Sequence, residues 1–222
     1  MAEFPDPESR NALEPGCARC PALVDSRERI AWGNGSLDAD VVVVGEAPAS
    51  GAPDADRWRG GNWTGMAYTS RHSGRRVRDL FADAGLAPGE LYFTNAVKCF
   101  PATEDEESPD GGEAGENGTP TNREPTAEER ANCRDHLATE IERVDPAAVA
   151  TTGKHATLSV LGDDALPDGF LDSVLDPVES AEFGTTVLPV LHPSYQNVWL
   201  PRIGYDREEY VAAIRERIAA SR

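Results

Sequence analysis

Lysine is nearly absent from this sequence. Only Lys98 and Lys154 occur among 222 residues, and 39 acidic residues outnumber 21 basic ones, which gives a net charge of −18. A strongly acidic composition with arginine as the main base favours adaptation to a high-salt cytoplasm; an acidic protein from a GC-rich genome is the alternative. A charge of this sign also opposes attraction to nucleic acid over the surface as a whole, because carboxylates and phosphates repel each other.

Long apolar runs are missing as well. No apolar segment is long enough to cross a bilayer, and the first ten residues are acidic, so we expect neither a membrane span nor a secretory signal. We therefore expect a cytoplasmic protein. Thiols stay reduced in that compartment, so the four cysteines are more easily explained as metal ligands than as disulfides.

Apolar periodicity predicts alternating strands and helices in one domain that spans residues 1–222. The predicted strands are 40–44, 91–97, 147–152 and 186–191. The predicted helices lie around 77–84, from 127 to about 144, at 154–161 and from 207 to the C-terminus, and capping-box patterns precede the second and the fourth. This alternation predicts an α/β fold of three layers, αβα, around a central four-stranded parallel sheet.

Two segments do not fit this pattern. Residues 1–16 are predicted to be a loose leader. Residues 102–122 are of low complexity, and seven acids without a base lie between Glu104 and Glu116. Such a composition cannot bury a core, so we expect an acidic surface insert.

Special residues follow three of the four predicted strands. Strand one ends in Gly45-Glu46-Ala47-Pro48, strand two runs through Asn95 to Cys99, and strand four ends in His192-Pro193-Ser194. Because parallel strands place their carboxyl ends at one edge, where ligands bind in open α/β sheets, these residues should converge. Taken singly, they have plainer explanations as a turn, a strand-end cap and a loop histidine.

The four cysteines favour one metal centre. Cys17 and Cys20 form a Cys-x-x-Cys pair, whose spacing lets both thiolates face one ion. Cys99 follows a strand, Cys133 lies in a helix, and the flanks of the insert can bring the two together. Four thiolates suit zinc or an iron–sulfur cluster, and spacing does not choose between them. Unligated core cysteines are the structural alternative.

In this order the motifs resemble the uracil-DNA glycosylase superfamily, most closely its iron–sulfur branch, over residues 17–200. The likeness rests on six segments: the Cys17-x-x-Cys20 pair with Leu23 and Arg27, Gly45-Glu46-Ala47-Pro48, Thr64 to Tyr68, Asn95-Ala96-Val97-Lys98-Cys99, Asn122-Arg123-Glu124-Pro125 with Glu129 and Cys133, and His192-Pro193-Ser194.

The resemblance implies a uracil-DNA glycosylase-like fold, in a member of the haloarchaeal type. It also implies a four-iron, four-sulfur cluster on Cys17, Cys20, Cys99 and Cys133, with structural zinc as the alternative. It further implies that Tyr68 covers a flipped-out base, that Asn95 reads the uracil edge and that the backbone at Ala47 lies near the base. His192 would stabilise the oxyanion that develops on the uracil, and Glu46 would activate water or stabilise the cationic sugar.

This chain departs from the family pattern at three places. The first motif continues as Ala49-Ser50-Gly51, Met66-Ala67 replaces an Arg-Pro pair, and Arg71 stands where a sister branch has an aspartate. The water-activating group and the substrate range are therefore open.

A local basic segment answers the objection from net charge. Residues 57–78 hold six arginines, one histidine and no acid, with Trp58 and Trp63 among them. We expect Arg71, Arg75, Arg76 and Ser194 to contact DNA. A solvated arginine face is the plainer alternative.

The function expected from these features is excision of uracil from single- or double-stranded DNA by a monomer. The alternatives are a glycosylase for hypoxanthine or xanthine, a nucleic-acid-binding member without catalysis, and a zinc-stabilised α/β protein unrelated to DNA.

Overall fold

The computed structural model describes residues 2–103 and 122–222. Six strands form one sheet: β1 (Asn34–Gly35), β2 (Val41–Gly45), β3 (Leu91–Asn95), β4 (Ala148–Thr152), β5 (Val178–Ser180) and β6 (Thr185–Val190). The helices are α1 (Pro21–Ser26), α2 (Gly61–Thr64), α3 (Ser73–Asp83), α4 (Ala127–Val144), α5 (Lys154–Leu161), α6 (Phe170–Ser173), α7 (Gln196–Trp199) and α8 (Arg207–Ala220).

The sheet has the order β1-β3-β2-β4-β6-β5. The four central strands, β3, β2, β4 and β6, are parallel and are the four that periodicity predicts. The two edge strands, β1 and β5, run antiparallel and were not predicted. Strands of two and three residues are too short to show a period of two, which explains why they were missed.

Alternate residues of β2 face opposite sides of the sheet, as the pleat requires. Val41 and Val43 pack with residues of α3 and α8, whereas Val42 and Val44 pack with residues of α4 and α5. The sheet is therefore the middle of three layers, and the αβα prediction is confirmed. None of the helices in the described ranges is both long and apolar enough to span a membrane.

Both predicted capping boxes are present. Thr126 and Glu129 exchange hydrogen bonds at the start of α4, and Asp206 and Glu209 do so at the start of α8. The Glu129 carboxylate also accepts two hydrogen bonds from the guanidinium of Arg123, at 2.6 and 2.7 Å. These two hydrogen bonds hold the segment that leads from the insert to the start of α4.

The leader lies against the rest of the protein. Arg10 donates hydrogen bonds to the carbonyls of Gly65 and Ile30, and the backbone N–H of Ala2 donates to Asp79. Most of the predicted acidic insert, residues 104–121, falls outside the described residues. Its flanks meet in an antiparallel bridge between Ala102 and Asn122.

Candidate functional site

A cavity of about 560 Å³ opens at the carboxyl edge of the parallel strands. It brings together six residues that sequence analysis selected: Glu46, Ala47, Tyr68, Asn95, His192 and Ser194. They come from segments far apart in sequence, and the parallel sheet delivers them to one edge. Further lining residues include Asn122 and Glu124, which lie in a segment that carries the family resemblance but were assigned no role. Thr152, Gly153, Lys154 and His155 also line the cavity and were not selected from the sequence.

Asn95 lies at the end of β3 and lines the cavity. Its side chain is buried, and Nδ2 has no hydrogen-bond partner among the described residues. An unpaired buried donor costs about 1–3 kcal/mol, so the amide is suited to an acceptor supplied by a ligand. A Cβ at neighbouring Gly45 would lie against Asn95 Oδ1 and 2.5 Å from Tyr68 Oη, which explains why only glycine fits there.

A buried ion pair holds the backbone of Asn95. The ammonium of Lys98 donates to the Asn95 carbonyl at 2.5 Å, to Thr94 Oγ1 at 2.7 Å and to Glu140 Oε2 at 2.6 Å. The side chains of Lys98 and Glu140 are both 1% exposed. The pair therefore joins the end of β3 to the C-terminal part of α4.

Tyr68 has a left-handed backbone conformation, with φ of 55°. Such a conformation costs an aromatic residue about 1–3 kcal/mol and persists only where its surroundings enforce it. Its hydroxyl shares a 2.6 Å hydrogen bond with Thr152 Oγ1, and Arg78 Nε donates to its carbonyl at 3.2 Å. Burial raises the pKa of Tyr68, so the phenol stays neutral.

Arg78 is partly buried beside Tyr68. Its guanidinium lies 4.1 Å from the centroid of the Phe93 ring and donates to Asn34 Oδ1 at 2.7 Å. Burial lowers the pKa of Arg78 to about 10, which leaves it protonated at neutral pH. The Arg78 cation thus links the backbone of Tyr68, which lines the cavity, to Asn34 and Phe93.

His192 follows β6 and lines the cavity. The backbone N–H of Ser194 donates to His192 Nδ1 at 3.3 Å, and burial lowers the pKa of His192. A neutral ring that accepts at Nδ1 carries its proton on Nε2, so it can donate a hydrogen bond there. Gly153, which lies in van der Waals reach of His192, has a backbone φ of 97°, a conformation that favours glycine.

Charged residues line the wall beside Glu46. His155 Nε2 lies 3.1 Å from Glu124 Oε2, and His155 Nδ1 lies 3.5 Å from Arg130 Nη1. Burial raises the pKa of Glu46, whereas His155 and Arg130 act to lower it and Glu124 acts to raise it. Lys154 and His155 also follow a strand end, so the rule that selected Glu46 could have found them, but their sequence carries no distinctive motif.

The predicted DNA-contacting arginines do not line the cavity, although Ser70 and Ser73 beside them do. Arg71 and Arg76 are exposed. The guanidinium of Arg75 lies 5.9 Å from the Trp58 ring centroid. The basic segment thus contributes Tyr68, Ser70 and Ser73 to the cavity, whereas its exposed arginines lie outside it.

The four cysteines lie together in an apolar cluster of their own. Cys99 and Cys133 are buried, and Cys17 and Cys20 pack against them. None of the four forms a disulfide. Arg27 donates to Cys99 Sγ at 3.1 Å, and Asn132 donates to Cys20 Sγ at 3.5 Å.

Burial raises the pKa of Cys133 to about 11 and also raises those of Cys20 and Cys99, and neighbouring cysteines add to the effect on all three. Thiols this close, with N–H donors aimed at sulfur, suit a cationic centre that takes four thiolates. The donor set therefore fits an iron–sulfur cluster or zinc. Ala47, which lines the cavity, packs against the same cluster.

Comparison with known proteins agrees with this geometry. The model of the uracil DNA glycosylase superfamily matches residues 32–219. The chain is 33% identical over 235 aligned positions to the type-5 uracil-DNA glycosylase of Pyrobaculum aerophilum, covering 92% of this chain and 88% of the relative. It is 28% identical over 183 positions to the type-4 uracil-DNA glycosylase of Thermotoga maritima, covering 81% and 77% respectively.

Proposed function

This chain belongs to the uracil-DNA glycosylase superfamily, and from that premise we propose that it excises uracil from DNA by hydrolysing the N-glycosidic bond, leaving an abasic site. The observation that carries the proposal is the cavity in which Glu46, Tyr68, Asn95 and His192 meet. A base must leave the helix to reach such a cavity, so the reaction includes extrusion of the nucleotide.

Asn95 is the proposed reader of the base. Its unpaired Nδ2 donor would bind uracil O4, and its Oδ1 would accept from N3–H. Cytosine presents a donor and an acceptor in the reverse order, which would leave groups on both sides unpaired. The ring of Tyr68, clamped by Thr152, would lie against the base, and the backbone at Ala47 would lie beside it.

His192 is the proposed stabiliser of the leaving group. Bond cleavage places negative charge on the uracil, and an Nε2–H donor fixed by the Ser194 backbone contact can bind that charge without reorganising. A neutral histidine serves this role because it donates one hydrogen bond and adds no cation beside the developing positive sugar.

Glu46 is the proposed partner of the sugar and the water. An ionised carboxylate stabilises an oxocarbenium-like sugar and can orient or deprotonate the attacking water. Its place in the cavity wall, beside the other proposed groups, supports this role.

The basic segment is the proposed DNA-binding surface, through Arg71, Arg75 and Arg76, with the Ser194 hydroxyl as a further phosphate contact. Exposed arginines beside the cavity can hold phosphates although the net charge is −18. Trp58 and Trp63, each beneath an arginine, offer flat surfaces for unpaired bases.

Cys17, Cys20, Cys99 and Cys133 would hold a four-iron, four-sulfur cluster, with zinc as the alternative. Bound there, the metal centre would supply no chemistry but would fix the leader, the end of β3 and α4 to one another. We further propose that the protein acts as a monomer in the high-salt cytoplasm of a halophile.

Incubation of the purified protein with a labelled uracil-containing oligonucleotide at high salt tests the function. We expect abasic-site formation with uracil and none with cytosine or thymine. A Glu46→Gln/His192→Ala variant, purified identically, controls for contaminating enzymes. Absence of product with an intact metal centre would favour a binding role, and cleavage of a hypoxanthine or xanthine substrate alone would redirect the assignment to those bases.

A further inference from the structure

The backbone of Tyr68 is in a conformation that its own side chain does not favour. Its φ of 55° lies in the left-handed region, where the Cβ is crowded by the following carbonyl oxygen. A residue other than glycine keeps such a conformation only where the surrounding contacts enforce it. The hydrogen bond between the Tyr68 hydroxyl and Thr152 holds the far end of the ring and does not fix the backbone. The backbone therefore needs partners of its own.

Asn34 and Arg78 hold the peptide groups on both sides of Tyr68. Asn34 Nδ2 donates to the carbonyl of Ala67 at 2.8 Å, in the peptide group that precedes Tyr68. Arg78 Nε donates to the carbonyl of Tyr68 at 3.2 Å, in the peptide group that follows it. Each peptide group is planar, and φ and ψ of Tyr68 are the two rotations between them. The two hydrogen bonds together therefore restrain both angles.

The side chains of Asn34 and Arg78 also fix each other. Arg78 Nη2 donates to Asn34 Oδ1 at 2.7 Å. Because arginine has no acceptor, the amide of Asn34 turns its oxygen to Arg78 and keeps its nitrogen for the carbonyl of Ala67. Asn34 is 0% exposed, so water does not compete for these hydrogen bonds. The guanidinium also lies over the ring of Phe93, which limits the positions that it can take.

Helix α3 comes close enough to Tyr68 to bring Arg78 to its backbone. A Cβ on Gly74, in the first turn of α3, would lie 2.3 Å from the Tyr68 carbonyl oxygen, so only glycine permits this approach. Arg78 lies four residues further along, on the same face of the helix. Asn34 comes from the edge strand β1, where it pairs with Phe93. A helix and an edge strand thus each supply one donor to the backbone around Tyr68.

We propose that Asn34 and Arg78 are positioning residues that hold Tyr68 in its left-handed conformation and so orient its ring to stack on the extruded base. This inference rests on the proposed function, because the base is what the ring would contact. Neither Asn34 nor Arg78 lines the cavity, so their effect on excision has to pass through Tyr68. Without them the ring would leave the orientation in which it meets the base.

The direct test is ¹⁹F NMR of protein labelled with meta-fluorotyrosine, in which the signal lost in Tyr68→Phe identifies Tyr68. The methionine of Arg78→Met keeps apolar contact with Phe93 but has no donor, so we expect the Tyr68 signal to shift or broaden. Asn34→Asp keeps the acceptor for Arg78 and loses the donor to Ala67, so it should change the same signal.

Arg217→Met is the matched control. Arg217 Nε donates to the carbonyl of Leu175 at 3.2 Å, and Leu175 also has a positive φ, of 65°. Arg217 therefore makes the same kind of contact as Arg78, but with a residue that does not line the cavity. Its replacement should leave both the Tyr68 signal and the excision rate per folded molecule unchanged.

Single-turnover excision of uracil provides the second readout. At saturating DNA, Arg78→Met should slow excision by at least about fivefold, because the strained orientation of the ring is no longer enforced. Its affinity for uracil-free DNA of the same length should stay at the wild-type value, since that DNA places no uracil against the ring. In a Tyr68→Gly background Arg78→Met should slow excision no further, because glycine adopts a positive φ without cost and has no ring to orient.

An unchanged Tyr68 signal in both Arg78→Met and Asn34→Asp would overturn the inference. So would a wild-type excision rate in Arg78→Met, or an equal loss of rate with and without the Tyr68 side chain. If Arg78→Met does not fold, Asn34→Asp, which retains the partner of Arg78, decides both readouts. If the wild-type protein excises no uracil, the proposed function fails, whereas the ¹⁹F signals still decide whether Asn34 and Arg78 orient Tyr68.

Discussion

Replacing Lys98 by methionine removes the ammonium from the most deeply buried ion pair described in the structure. Glu140 would keep hydrogen bonds from the Gly33 N–H at 2.9 Å and from the hydroxyls of Tyr92 and Thr94, at 3.3 and 2.5 Å. These donors are neutral, so a carboxylate that is 1% exposed would lack a countercharge.

The expected cost is large because both partners are out of water. Removing one member of a buried pair destabilises a protein by about 3–5 kcal/mol, since the remaining charge stays desolvated. In a chain of this size each kcal/mol lowers Tm by about 2–4 °C, so the expected loss for Lys98→Met is about 6–20 °C. In Lys98→Met/Glu140→Gln the glutamine can still accept from the Gly33 N–H, so the double variant should recover most of that loss.

Thermal unfolding followed by circular dichroism at fixed pH and salt measures both variants, with visible absorbance as a check on the metal centre. The double variant should still excise uracil more slowly than wild type, because the Asn95 carbonyl has lost its Lys98 donor. A Tm for Lys98→Met within about 2 °C of wild type would refute the reasoning, because one kcal/mol alone moves Tm that far. A double variant as unstable as the single one would also refute it.

Three further outcomes follow from the site. His192→Ala should slow single-turnover excision by about 10²–10³-fold without changing visible absorbance, and a wild-type rate would remove His192 from the mechanism. Asn95→Ala should slow uracil excision by about 5- to 150-fold, the equivalent of about 1–3 kcal/mol, and an equal rate would mean that the amide does not read the base. Arg76→Gln should reduce the slope of log affinity for DNA against log salt concentration by about one, as loss of one phosphate contact requires. An unchanged slope would place Arg76 outside the DNA surface.

The central layers of the fold were predictable because their signals are local. Four short, largely apolar runs predicted the parallel strands, and capping boxes predicted where α4 and α8 begin. The antiparallel edge strands were not predictable: β1 and β5 hold two and three residues and depend on pairing with β3 and β6. Pairing partners come from the tertiary structure and leave no period in such short segments.

The candidate site was predictable in part. The rule that ligands bind at the carboxyl ends of parallel strands selected the segments of Glu46, Asn95 and His192, and the cavity contains all three. Glu124 lies in a segment that carries the family resemblance but was assigned no role, and His155 was not selected. Glu124 follows the acidic insert, and contacts such as the bridge between Ala102 and Asn122 bring its segment to the cavity. Sequence distance gives no indication of such a contact.

The sequence by itself determined the three layers, the family and the functional groups of the site, because each is encoded in short patterns. These groups are the cysteine thiols, the Asn95 amide, the Glu46 carboxylate and the His192 imidazole. Only the tertiary structure decided what those groups face. It left Asn95 Nδ2 without a hydrogen-bond partner among the described residues, assigned the His192 proton to Nε2 and brought Glu46 into the same cavity as both. These properties depend on distance and burial, which arise when segments far apart in sequence pack together.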